Sequence, residues 1–243
     1  MGARLSKRLK RIASHVIPGR AAADIGADHG LLAGYLVQSG ICPKVIIGEL
    51  NEGPWLRARA YVAREGLGDF IEVRRGDGLA VLDPGEVATV IIAGLGGRVI
   101  SDILAASPRK SRTYFRYVLQ PQPPVYPLRK TLNRLGWAIT EEEIVTEKEN
   151  VYIIVVTEPN TREGRLLSEL ELEVGPVILR RIEKPEVRRF LLMELARWEN
   201  MIQGLQASES IQARAKLTRY CGLKRELEEI LHAGNGKADI CSP

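Results

Sequence analysis

The apolar positions of the chain follow two rhythms. Leu5, Leu9, Ile12 and Val16 recur every three or four residues and describe one face of a helix over residues ~5–16, which Pro18-Gly19 ends. Short apolar runs follow at ~21–25, 44–49, 70–74, 87–93 and 117–119, with helical patterns over ~31–39, 54–66 and 98–106 between them. The run Val87-Ala88-Thr89-Val90-Ile91-Ile92-Ala93 is almost uninterrupted, as suits the buried middle of a parallel sheet. A helix over ~125–135 leads to two β-rich runs, Trp137–Thr146 and Val151–Thr157, which read as a hairpin at a sheet edge. Between strand and helix, Gln120-Pro121-Gln122-Pro123-Pro124 is expected to be irregular, because its prolines remove donors and restrict their neighbours.

Beyond Glu158-Pro159-Asn160 the period changes. Val187, Phe190, Leu191, Leu195, Trp198, Met201, Ile202 and Leu205 mark one helix seam, and Tyr220, Leu223, Leu227, Ile230 and Leu231 mark another. With a reversal in Gly204–Ser210 they predict an antiparallel helical hairpin, similar to a short coiled coil. The expected division is an α/β domain over 1–160, a hairpin domain over 161–233 and a disordered tail over 234–243.

Four successive strands end in glycine or acid. Ala23-Asp24-Ile25-Gly26-Ala27-Asp28-His29-Gly30 reads as a strand feeding a helix through a tight loop, whose glycines let the backbone approach a ligand. Glu49 closes the next strand about twenty residues on, where a nucleoside-binding βαβ unit has an acid for the ribose hydroxyls. Gly76-Asp77-Gly78-Leu79 and Gly94-Leu95-Gly96-Gly97 end the third and fourth strands. The layout predicts the α/β class: a Rossmann-like, seven-stranded class I methyltransferase sheet with a C-terminal helical hairpin.

The loop also selects the cofactor. Asp28 stands where a dinucleotide fingerprint has its middle glycine, and a carboxylate there would repel a pyrophosphate. S-adenosylmethionine has no phosphate and carries an ammonium and a sulfonium, so acids around it are favourable.

Composition changes the picture only in places. The chain has 45% hydrophobic and 27% charged residues, ordinary for a globular protein, and no long uncharged apolar run, so it reads as cytoplasmic with no membrane partner. Cys42, Cys221 and Cys241 lie far apart without metal-ligand spacing, which argues against a metal site. The net charge is only +5, yet the first twenty residues hold six basic side chains and no acid. They read either as a solvated helix face or as a contact to phosphate.

The motifs resemble one family. Asp-Ile-Gly-Ala-Asp-His-Gly, Gly-Glu-Leu-Asn-Glu-Gly-Pro, Arg-Gly-Asp-Gly-Leu, Ile-Ala-Gly-Leu-Gly-Gly and Leu-Gln-Pro-Gln, after a basic Leu-Ser-Lys-Arg-Leu start, are similar in type and order to the bacterial tRNA (adenine-22-N1)-methyltransferases. The chain departs from that pattern at Gly30, Leu31, Ala33 and Gln122, where Ala, Tyr, Pro and Asn are expected. The resemblance implies methyl transfer from S-adenosylmethionine to adenine N1 in the tRNA D arm. Separately, the protein is expected to be a monomer. The resemblance assigns Asp24, Gly26, Asp28, His29 and Gly30 to the methionine end of the cofactor and Glu49 to the ribose hydroxyls, with Asn51 among the cofactor-binding residues. Asp77 and Gly78 would meet the cofactor's adenine, and the stretch from Gly94 through Leu95 and Gly96 to Gly97 would line the transfer pocket.

Adenine N1 has an in-plane lone pair, so its attack needs no obligatory base, and alignment and exclusion of water can carry catalysis. Asp28, Gln120 and His29 are the candidates for contact with the adenine amino group. Each has a plainer reading: cofactor binding for Asp28, helix capping for His29, a turn bond for Gln120. Arg4, Lys7, Arg8, Lys10 and Arg11 at the start, and Arg180, Arg181 and Arg188 at the root of the hairpin, are the expected RNA contacts. Glu183 and Glu186 beside the second cluster leave a solvated face as its alternative. Two other functions stay open: a class I methyltransferase for a small molecule or protein, and a non-catalytic interaction protein on the same fold.

Overall fold

The computed structural model describes residues 5–159, 165–207 and 210–235, so Arg4 and the expected tail from residue 236 lie outside the described residues. The chain divides into two units between Leu166 and Leu167.

The first unit runs α1 (Lys7–Ser14), β1 (Ala22–Ile25), α2 (Leu31–Gln38), β2 (Val45–Glu49), α3 (Glu52–Arg64) and β3 (Ile71–Arg75), then a 3-10 turn at Gly78–Val81. It continues with β4 (Thr89–Gly96), α4 (Gly97–Ala106), α5 (Pro108–Ser111), β5 (Arg116–Gln122), α6 (Tyr126–Leu135), β6 (Ala138–Glu147) and β7 (Asn150–Glu158). The seven strands form one sheet in the order β3-β2-β1-β4-β5-β7-β6. β1 to β5 pair in parallel, and β7 lies antiparallel between β5 and β6.

Every residue of β1 and β2 is buried, since helices cover both faces of a parallel sheet. Alternation sorts the side chains. Ala22, Val45, Ile47, Ile91, Val118 and Ile154 form one core with Ile12 of α1, Leu32 and Leu36 of α2 and Tyr61 of α3. The residues between them, such as Ile46, Ile92 and Tyr117, fill the opposite face, where the Tyr117 and Trp137 rings lie 5.0 Å apart. Asp24 and Gln120 share the parity of Ala22 and Val118, which puts them on the face that α1 covers.

The segment expected to be irregular is strand as far as Gln122: Gln120, Pro121 and Gln122 pair with Ala93, Leu95 and Gly96 of β4. The proline is tolerated because β7 pairs only with Tyr117 to Leu119, so the missing N–H faces no strand. A register shift at Gly94 accompanies the extension. The basic side chains of α1 are also more engaged than expected. Lys7 donates its backbone N–H to Glu147 Oε1 at 2.8 Å and its Nζ to the Thr146 carbonyl at 3.2 Å. Arg11 pairs with Glu143, which lies within reach of His15 as well.

The second unit holds α7 (Glu169–Val174), α8 (Pro176–Leu179), α9 (Pro185–Gln206) and α10 (Ile211–Asn235). The seam residues Val187, Leu191, Leu195, Trp198, Leu223, Leu227 and Leu231 are buried. Arg188 donates to the Leu231 carbonyl at 3.2 Å and the Trp198 and Tyr220 rings lie 6.1 Å apart, so α9 and α10 run antiparallel. α10 continues two residues into the expected tail. The two short helices had no apolar period to announce them, although Ser168 and Glu171 form a capping box, a pattern that sequence does carry. Among the described residues no helix is long and apolar enough to cross a membrane.

Candidate active site

The chain leaves β1 toward β2 on one side and returns with β4 on the other, which makes the carboxyl ends of β1 and β4 a topological switch point. The loop Gly26–Gly30 sits there. Its crest is wound left-handed: Asp28 has φ 54° and Gly30 has φ 69°. A Cβ on Gly30 would stand 3.0 Å from Ile47 Cδ1, so this position needs glycine for both its backbone and its neighbour. Asp28 tolerates the left-handed region as acidic and amide residues do. Glu49 holds the crest from the adjacent strand, its Oε1 accepting the Asp28 backbone N–H at 2.5 Å.

Two acids floor the crevice. Asp24 is 4% exposed and Glu49 is 6% exposed. Among the described residues no donor hydrogen-bonds the Asp24 carboxylate. Burial, then the nearby Glu49, pushes its carboxyl up to about 7, against the opposing field of Arg8. Burial also raises Glu49, and the Asp28 amide works against it. A cation entering here would replace lost hydration of both acids.

The three residues proposed to meet a substrate differ in availability. The Asp28 side chain is about half exposed, and its Oδ1 accepts from Arg57 Nε at 3.0 Å and Nη2 at 2.5 Å. Its Oδ2 lies 3.3 Å from Nε2 of the exposed His29. Gln120 is 1% exposed and bonded at both polar atoms: its Nε2 donates to the Pro121 carbonyl at 2.9 Å and its Oε1 accepts from Arg8 Nη1. Arg8 also stacks on Tyr152, 5.1 Å from the ring centroid. The structure therefore brings Arg8, expected at an RNA surface, into the same crevice as Asp24 and Gln120.

Of the remaining candidates, Gly26, Gly94, Leu95 and Gly96 border the crevice, and Leu95 Cδ1 would stand 3.3 Å from a Cβ on Gly26. Asn51 is exposed at the start of α3. Asp77 and Gly78 line a cleft of about 380 Å³ with Leu79, Val99, Asp102 and Ile103. Lys10 and Arg180 are exposed. Arg181 is half-buried, and Arg188 is committed to Leu231. Among the described residues no group of three or more His, Cys, Asp or Glu could hold a metal ion. Arg57 is the residue that sequence reasoning missed, because its partner lies 29 positions away and nothing in the helix pattern marks it.

Comparison with known proteins places these features in context. Residues 5–155 match the family described as "Methyltransferase domain". The tRNA (adenine(22)-N(1))-methyltransferase of Bacillus subtilis is 32% identical over 235 residues, covering 95% of this chain and 98% of that protein. The crystal structure of the B. subtilis M1A22 tRNA methyltransferase TrmK superposes with a TM-score of 0.84 at 31% identity, over 94% of this chain and 99% of that one. The Streptococcus pneumoniae protein Sp1610, in complex with S-adenosyl-L-methionine, superposes with a TM-score of 0.78 at 30% identity, over 94% of this chain and all of that one.

Proposed function

The chain belongs to the tRNA (adenine(22)-N(1))-methyltransferase family, and from that membership we propose that it transfers the methyl group of S-adenosylmethionine to N1 of adenine 22 in the D arm of tRNA. The observation that carries the reading is the pair of buried acids, Asp24 and Glu49, at the switch point, with no hydrogen-bond donor on Asp24 among the described residues. Such a pair of acids suits a cationic, phosphate-free cofactor and would repel a dinucleotide. Asp24 and the Gly26–Gly30 loop would hold the methionine end, Glu49 and Asn51 the ribose, and Asp77 and Gly78 the adenine. When bound, the cofactor supplies an electrophilic methyl on a sulfonium.

The protein's own part is alignment. N1 of adenine presents an in-plane lone pair, so no side chain has to remove a proton before attack. Positive charge grows on the ring as the bond forms, and an acceptor on the exocyclic amine stabilises it. Both polar atoms of the buried Gln120 amide are engaged, whereas the half-exposed Asp28 keeps Oδ2 outside its bonds to Arg57. Asp28 is therefore the better acceptor, and the exposed His29 beside it is the second candidate. The target base must leave its stack to reach this crevice, which calls for phosphate contacts on the surrounding RNA. The exposed Lys10 and Arg180 are proposed for that role. As parts of the same reading, the enzyme works in the cytoplasm with its tRNA, and as a monomer.

Methylation of unmodified tRNA transcripts, with mass mapping of the product, tests the proposal. A single methyl on adenine 22 is expected. Cofactor binding without tRNA-dependent turnover would instead favour a small-molecule or protein substrate.

A further inference from the structure

Glu49 grips the loop after β1 by its backbone, whereas Arg57 grips it by a side chain. The backbone of the crest is fixed without Arg57. Glu49 Oε1 accepts the Asp28 N–H, and the Ala27 carbonyl accepts from the His29 and Gly30 N–H groups at 2.7 and 3.4 Å. The Asp28 carboxylate is a separate matter, because the last torsion of an aspartate is broad and roughly two-fold. Without a partner it would turn on a half-exposed crest.

A fork of donors sets it. Nε and Nη2 of Arg57, at 3.0 and 2.5 Å, both converge on Oδ1. A fork laid across both oxygens would use up the acceptor, and this one spares Oδ2. The exposed His29 is the neighbour on that side, its Nε2 3.3 Å from Oδ2. Arg57 reaches the loop because β1 and β2 are parallel neighbours, so the start of α3 lies beside the crest, and long helical side chains lean toward the helix N-terminus. The guanidinium lies back along the first turn, with Nη1 3.5 Å from the place of a Cβ on Gly53. The two side chains of the pair are 49% and 51% exposed, so the bond adds little to stability. Its consequence is orientation.

We propose that Arg57 is a positioning residue for methyl transfer: it holds Oδ1 of Asp28 so that Oδ2 is presented to the exocyclic amine of the target adenine. The proposal rests on the reading of Asp28 as the acceptor for that amine, and it gives Arg57 no contact with the cofactor or with RNA phosphate.

Single-turnover methylation of unmodified tRNA transcripts, with tRNA and S-adenosylmethionine both saturating, is compared for the wild type, Arg57→Met, Arg57→Lys, Asp28→Asn and the Arg57→Met, Asp28→Asn double variant. Asp28→Asn still suits a left-handed crest and still accepts from Arg57, but it presents an amide donor where Oδ2 stood. Arg57→Met should slow the step by roughly tenfold, less than the hundredfold that a full ångström of misplacement can cost. Arg57→Lys keeps the charge on a flexible stem without the fork, and should recover only part of the rate. In the Asp28→Asn protein the Arg57→Met change should cost less than about twofold, since the acceptor it aims is already gone. Affinities of Arg57→Met for tRNA and for S-adenosylmethionine should stay within about twofold of the wild type, as for an exposed side chain away from both.

An unchanged rate in Arg57→Met, or an equal loss in the Asp28→Asn background, overturns the assignment. So does weakened tRNA or cofactor binding with the saturated rate intact, and so does full recovery in Arg57→Lys, which would make the effect one of charge. Asp28→Asn at the wild-type rate removes Asp28 as the acceptor and this role with it, while methylation of adenine 22 would still stand. A wild type that methylates no tRNA refutes the methyltransferase reading and this role together.

Discussion

The carboxylate of Glu49 and the backbone of Asp28 meet across 2.5 Å, so the acid that ends β2 is also the clasp of the loop that follows β1. Charge and clasp can be separated by substitution. Glu49→Ala removes both and should weaken S-adenosylmethionine binding by at least tenfold, consistent with losing a charged acceptor and a partner of a part-buried amide. Glu49→Gln keeps an acceptor for the Asp28 N–H and should retain the loop, seen as amide exchange protection at Asp28, while still binding the cofactor more weakly. Equal affinity of Glu49→Ala and wild type by calorimetry would remove Glu49 from the binding site.

Asp24 makes stability and cofactor affinity respond oppositely to pH. Its folded-state value of about 7 lies above the ordinary 3.8 of the unfolded chain, because burial disfavours the carboxylate. Between those values the folded protein holds a proton that the unfolded chain has released, so this group's contribution to stability falls as pH rises from about 4 through 7. The change is at most on the order of 1.4 kcal/mol per pH unit. Asp24→Asn should therefore gain on the wild type in urea unfolding between pH 5 and pH 8. Cofactor affinity runs the other way, rising through the same window as the carboxylate ionises against a cation, and the variant should flatten it. Parallel stability profiles for the two proteins would show that Asp24 does not titrate there.

A buried ion pair lies away from the crevice. Arg129 of α6 donates from Nε to Glu142 Oε1 of β6 at 2.8 Å, and the side chains are 1% and 0% exposed. Taking away one partner of such a pair removes a charge that the other was buried against. Glu142→Gln should lower unfolding free energy by about 3–5 kcal/mol, and pairing it with Arg129→Met should recover much of that loss. Urea titrations of the single and double variants check this; a loss under about 1 kcal/mol in the single variant would mean that the Arg129 charge is compensated without Glu142.

Much of the fold is legible in the sequence, for identifiable physical reasons. The runs at Val45–Glu49 and Val87–Ala93 are buried on both faces, and that demand writes itself into continuous apolar sequence. The switch-point acids were legible for a similar reason, since each stands at the end of such a run. Contacts between distant segments were not. Nothing local says that Arg8 meets Gln120 across 112 positions, or that Arg11 meets Glu143 across 132, so a basic helix read as an RNA surface proves to be largely engaged with β5 and β6. Gln120 to Gln122 misled in the other direction. Proline argues against a strand only where a neighbouring strand needs its N–H, and which edge is open is a property of the sheet.

Lys10 and Arg180 remain the proposed grip on RNA, and their exposure makes the proposal separable from the cofactor site. A side chain that neutralises a phosphate releases condensed counterions, so its loss shows in the salt dependence of binding more clearly than in affinity at one salt. Lys10→Ala and Arg180→Ala should each weaken tRNA binding across sequences and reduce the slope of log affinity against log salt by about one per lost contact. Neither should change the affinity for S-adenosylmethionine, since neither side chain is hydrogen-bonded to a crevice residue. Filter binding of tRNA between about 50 and 200 mM salt supplies the slopes. An unchanged slope in both variants would make these residues an ordinary solvated face and would move the RNA contacts elsewhere on the protein.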